Sequence, residues 1–241
     1  MKPEVKIFPN AEETAEHLAE SLYYKLRNFN SEEKKFNIAL SGGSTPKIFF
    51  RILAKKYSQK IKWGKINLFW GDERCVPPDD RESNYRMTKE TLLNFISIPN
   101  ENIFRIKGED DPFGEVKRYS KIIEENVPNF NGLPSFNLML LGLGEDGHTA
   151  SIFPNQMSLL NSEKICEVSV HPVSMQKRIT MTGRIINNSE WIVFLVTGEK
   201  KSMILSKILT QKEAEIYPAY HINPTFGKLE WYLDKDAAKY L

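Results

Sequence analysis

Residues 136–149 read FNLMLLGLGEDGHT. A mostly apolar run gives way at once to a segment holding three glycines, the carboxylates Glu145 and Asp146, and His148. Near-continuous apolarity bounded by glycine suits a strand buried on both faces, as in a parallel sheet, because a strand with one wet face would alternate apolar and polar residues. Three other runs share the pattern: NIAL at 37–40, INLFW at 66–70 and WIVFLV at 191–196. Each is followed directly by glycine and polar side chains, in SGGST at 41–45, GDER at 71–74 and TGEKK at 197–201. In an open parallel sheet the carboxyl ends of the strands lie along one edge, so the four polar segments are expected to meet in one crevice.

Helical patterns separate these runs. Asn10 can cap a helix with Glu13 three places on, and Ala15, Leu18, Ala19, Leu22 and Leu26 then form one apolar stripe. Asp111-Pro112 is a second start, followed by Val116, Tyr119, Ile123 and Val127 on one face. Residues 83 to 95 and 199 to 209 also read as helices, 127–135 as a loop, and 229–233 as a short strand before a final helical turn. Strands alternating with helices predict an α/β fold with a doubly wound, mostly parallel sheet and helices on both faces. With no repeat or linker in view, residues 1–241 are expected to form one domain.

The totals narrow the function. The 33 basic and 31 acidic residues leave a formal charge of +2, with no basic stripe, so nucleic acid is not the expected partner. No apolar run is long enough to span a bilayer and the start, MKPEVKIFPN, lacks a signal-peptide core, so no membrane partner is expected and the location expected is the cytoplasm. Cys75 and Cys166 form no CxxC pair and read as free thiols.

In SGGSTP, Thr45 suits a helix N-cap and Pro46 the first helical position, while Gly42 and Gly43 permit a turn whose N–H groups converge. That geometry serves either a tight strand-to-helix turn or a phosphate site including Ser44. Asp72-Glu-Arg74 is either a surface turn with a local ion pair or a site element, with Arg74 facing an anion and Asp72 receiving a hydroxyl or steadying a cation. Asp146 and His148 flank Gly147, so a carboxylate and an imidazole able to take a proton near neutral pH reach the same small volume. Asp-x-His could also hold a metal, but His17, His171 and His221 form no ligand spacing with it, and no metal is expected. Arg178 in KRITMT and Lys201 read singly as solvated surface cations, and together would suit the far side of a phosphate site.

Taken together, SGGSTP at 41–46, DERCVPPDDRESN at 72–84, GLGEDGHTASIFP at 142–154, RITMT at 178–182 and VTGEKK at 196–201 resemble the 6-phosphogluconolactonase family, in family order and over most of the chain. The resemblance implies a Rossmann-like fold, no cofactor, and hydrolysis of 6-phosphoglucono-1,5-lactone in the oxidative pentose phosphate pathway; a monomer is expected. It implies that His148 is the general base with Asp146 its neighbour, and that Gly42, Gly43, Ser44, Thr45, Arg74, Arg178 and Lys201 hold the phosphorylated sugar lactone; Asp72, from its place at the strand end, is expected to join them. One departure stands out: Gly183-Arg184 follows RITMT, where the family more often has an apolar residue and proline.

Two rivals are weighed against it. Glucosamine-6-phosphate deaminases carry Asn-Glu-Pro after the Asp-Gly-His motif, and Phe153 stands here at the glutamate position. A non-catalytic sugar-phosphate sensor would need a DNA-binding segment, and the chain shows no basic recognition helix.

Overall fold

A computed structural model describes residues 3–29, 34–210 and 214–241. The elements in chain order are β1 (Glu4–Phe8), α1 (Ala11–Arg27), β2 (Phe36–Leu40), α2 (Ser44–Ile52), β3 (Ile66–Trp70), β4 (Asp72–Arg74), α3 (Asn84–Thr91), β5 (Ile103–Phe104), α4 (Pro112–Asn126), β6 (Asn129–Phe130), β7 (Leu133–Pro134), β8 (Leu138–Leu141), β9 (Cys166–Val170), β10 (Lys177–Met181), α5 (Gly183–Asn187), β11 (Trp191–Val196), α6 (Ser202–Leu209) and β12 (Lys228–Asp234).

Seven strands form the central sheet in the order β1-β12-β11-β8-β2-β3-β5, and every neighbouring pair is parallel. The four apolar runs supply its middle: every residue of β2, β3, β8 and β11 is buried. Burial on both faces is why these strands do not alternate. Helices cover both sides. Tyr232 of β12 donates from Oη to Ser21 Oγ of α1 at 3.0 Å, whereas its neighbour Trp231, pointing the other way, lines a cavity with Ile208 and Leu209 of α6.

Helix starts follow the expected chemistry where a side chain can cap. Asn10 Oδ1 accepts from Glu13 N at 2.9 Å, and Asp111 Oδ2 accepts from Gly114 N at 2.8 Å with Pro112 in the first turn. Ser83 caps α3, which is shorter than expected and ends in a separate 3-10 turn, Leu93–Phe95. Thr45 is not a cap. α2 begins two residues earlier, at Ser44, because Gly43 takes φ +108° and supplies the sharp entry itself, and Thr45 Oγ1 instead shares a 2.8 Å hydrogen bond with Thr197 Oγ1.

Three segments differ from their sequence reading. Residues 127–135, expected as a loop, contain the hairpin β6–β7, turned by Asn131 and Gly132 at φ 53° and 84°, the left-handed pair that a two-residue hairpin favours. Asp72–Arg74, readable as a surface turn, is strand β4, and RITMT falls largely on β10; with β9 they form a separate antiparallel sheet in the order β4-β10-β9. The departure at Gly183 has a packing cause: a Cβ there would stand 2.6 Å from the Leu160 carbonyl oxygen. No helix among the described residues is long and apolar enough to cross a membrane.

Candidate active site

At the carboxyl edge of the central sheet lies a crevice of about 180 Å³ whose walls come from all four polar segments: Gly42 and Gly43 after β2, Asp72 and Arg74 after β3, Gly144 and His148 after β8, and Lys201 after β11, joined by Arg178 from β10. Ser44 and Thr45 are not among its lining residues; Ser44 is exposed and Thr45 is engaged with Thr197.

The loop after β8 closes on itself. Gly144 N–H donates to the His148 carbonyl at 2.8 Å and Gly147 N–H to the Gly144 carbonyl at 3.1 Å, with Gly147 at φ +81°. This small ring sets His148 Nδ1 2.5 Å from Asp146 Oδ1, which also accepts from His148 N–H at 3.2 Å. Burial acts to raise the Asp146 pKa, but the His148 contacts outweigh it and hold the carboxyl below its ordinary value. With Nδ1 engaged by a carboxylate, Nε2 is the ring nitrogen left to accept a proton. The Phe153 ring, fully buried, supports the imidazole at 4.8 Å between centroids.

Arg74 and Arg178 are direct cross-strand partners on β4 and β10. Like charges so placed repel, and burial and then Arg74 push the Arg178 pKa below its ordinary value. Arg74 donates from Nη1 to the Glu82 carbonyl, yet the Nε atoms of both arginines are buried without a hydrogen-bond partner, and neither guanidinium forms a salt bridge among the described residues. Buried donors without partners are uncommon in folded proteins. Ser169, the next residue across on β9, is also buried with Oγ unpartnered.

Asp72, 5% exposed, accepts from Ser151 Oγ at 2.6 Å and is steadied by Asn84, whose Nδ2 donates to the Asp72 carbonyl at 3.0 Å. Asn84 was quoted in the sequence pattern without a role. Its amide fills the space over Gly42, where a Cβ would overlap Oδ1 at 1.8 Å, so the glycine turn and the Asp72 strand interlock through it. Glu73 is structural: buried, it accepts from Ser83 Oγ and from the backbone N–H groups of Arg74, Asn84 and Tyr85, fixing the start of α3. Burial lowers the Lys201 pKa, while Glu145 and Asp146 act to raise it. Among the described residues no three His, Cys, Asp or Glu side chains are grouped to hold a metal ion.

Residues 9–231 match the family described as glucosamine-6-phosphate isomerases/6-phosphogluconolactonase, and the chain belongs to it. It is 41% identical over 230 residues to a 6-phosphogluconolactonase of Haemophilus influenzae, and 42% identical over 234 residues to one of Aggregatibacter actinomycetemcomitans; each match covers 95% of this chain and 97% of the relative. The solved 6-phosphogluconolactonase from Trypanosoma brucei superposes with a TM-score of 0.90 at 27% identity, covering 100% of this chain and 99% of that one.

Proposed function

We infer that this protein hydrolyses 6-phosphoglucono-1,5-lactone to 6-phosphogluconate, the lactone-opening step of the oxidative pentose phosphate pathway. One observation carries the reading: an imidazole backed by a carboxylate and two opposed arginines without salt bridges among the described residues line the same crevice. The activity named for the relatives agrees with it.

The phosphate sits between Arg74 and Arg178, relieving their repulsion and accepting from the buried N–H groups; Lys201 adds a mobile positive charge. This anchor leaves the lactone carbonyl beside His148. Nε2 removes a proton from a water molecule, the oxygen attacks the carbonyl carbon, and the imidazolium, stabilised by Asp146, returns the proton to the ring oxygen as the C–O bond breaks. An ester activated by its ring needs less assistance than an amide, so base catalysis of about 10²- to 10⁴-fold together with fixed geometry suffices. Asp72 and Asn84 are placed to meet sugar hydroxyls beside the glycine turn. Deamination of glucosamine 6-phosphate fits less well, because the buried Phe153 occupies the position where that chemistry uses a glutamate.

The test is lactone hydrolysis by the purified protein, corrected for spontaneous opening. Acceleration that disappears in His148→Ala is expected; an uncatalysed background rate from the wild type, or ammonia release from glucosamine 6-phosphate, would overturn the reading.

A further inference from the structure

The β9–β10 hairpin carries a histidine, His171, just beyond the end of β9. The ladder between these strands extends one step beyond β9, since His171 N–H donates to the Gln176 carbonyl at 3.0 Å. Residues two apart on a strand share a face. Ser169 is the cross-strand partner of Arg178, itself the partner of Arg74, so His171 falls on the face of the small sheet that carries both arginines, one pleat beyond them.

The ring's chemistry is also fixed. Nδ1 accepts from the N–H groups of Val173 and Ser174, both at 3.2 Å, as the hairpin turns back over it. A nitrogen that accepts from two backbone donors carries no proton, so the proton of the neutral ring is on Nε2, at the opposite edge. Burial, then Arg178, then His148 depress its pKa, which keeps the ring neutral. The imidazole meets Phe153 edge to face at 5.1 Å, and that same ring packs against His148 and lies under the Arg178 guanidinium at 5.6 Å. One buried aromatic thus positions three functional groups.

We propose that His171 is a specificity-determining residue for the phosphorylated end of the substrate: its Nε2–H, set beside Arg178 on the arginine-bearing face, donates a neutral hydrogen bond to a phosphate oxygen. A third cation beside two repelling arginines would add to the strain of the empty site, whereas an uncharged donor adds a contact without it. The assignment rests on the functional reading above, which places the phosphate at the arginines.

The experiment compares wild type, His171→Phe, which keeps a ring against Phe153 but has no donor, and His171→Gln, which restores an N–H at similar reach. Calorimetric binding of 6-phosphogluconate gives affinity independently of turnover. His171→Phe is expected to bind about tenfold more weakly, to raise KM for the phosphorylated lactone by a similar factor with kcat within about threefold, and to leave kcat/KM for unphosphorylated glucono-1,5-lactone unchanged. His171→Gln recovers most of the affinity. Wild-type affinity in His171→Phe, an equal loss on both lactones, or no recovery in His171→Gln would each overturn the assignment. Absence of wild-type lactone turnover alongside tight, His171-dependent binding would instead sink the functional reading and leave the donor in place.

Discussion

Gly144 lies against the His148 imidazole so closely that a Cβ on it would stand 2.1 Å from Nδ1 and 2.5 Å from Asp146 Oδ1. The glycine is required by that contact and not by its φ, which lies outside the left-handed range. Gly144→Ala is therefore expected to part the ring from its carboxylate while leaving the sheet intact. Loss of activity by about 10²-fold or more with an unchanged far-ultraviolet spectrum supports this; full activity would show that the pair is not needed as placed.

Asp146→Asn tests the partner. An amide cannot stabilise the imidazolium as a carboxylate does, so kcat falls with little change in KM. The pair also makes stability pH-dependent. Because the Asp146 carboxyl is held below its ordinary pKa, the folded state is favoured above the ordinary aspartate range, and that contribution is lost as pH falls through the depressed value. Denaturant titrations from pH 6 to pH 3 should show a shallower decline for Asp146→Asn than for wild type.

The opposed arginines predict an exchange between stability and binding. Arg178→Gln removes the repulsion with Arg74, so the ligand-free variant should melt no lower than wild type despite a KM raised roughly 10- to 100-fold. Adding 6-phosphogluconate should raise the wild-type melting temperature far more than that of the variant. A variant that melts well below wild type would mean that the guanidinium serves the fold.

Both thiols should be silent. Burial pushes Cys166 up to about 12 and Cys75 up to about 11, so at pH 8 neither is a thiolate, and a disulfide reagent should react promptly only after unfolding. The sign for stability follows: the contribution is complete below the ordinary thiol value and is lost as pH rises toward the elevated ones, since the unfolded chain then releases protons that the folded one keeps. Rapid labelling of the native protein would contradict this.

The central sheet was legible because doubly buried strands are locally unmistakable, and glycine at each carboxyl end marked the rim where Asp72, Arg74, His148 and Lys201 converge. The small sheet was not. β4 is three charged residues long, and its partner β10 lies about a hundred residues away, so nothing local distinguishes it from a polar turn. The capping role given to Thr45 failed because Gly43 performs the entry by its own backbone, and capping preferences, which rank glycine level with threonine, do not choose between the two. Asn84 and Phe153 escaped for a similar reason: each acts by filling space between segments, and pattern reading sees only one segment at a time.

The His148–Asp146 pair stands on a loop of the seven-stranded sheet, while Arg74 and Arg178 belong to the three-stranded one. The span between imidazole and guanidinium groups is therefore not built into either sheet; it is a caliper whose jaws are two independent frameworks, gauged by what is wedged between them, chiefly the Phe153 ring. On the proposed reading, discrimination between sugar phosphates of different chain length becomes adjustable from the interior, by exchanging a fully buried residue.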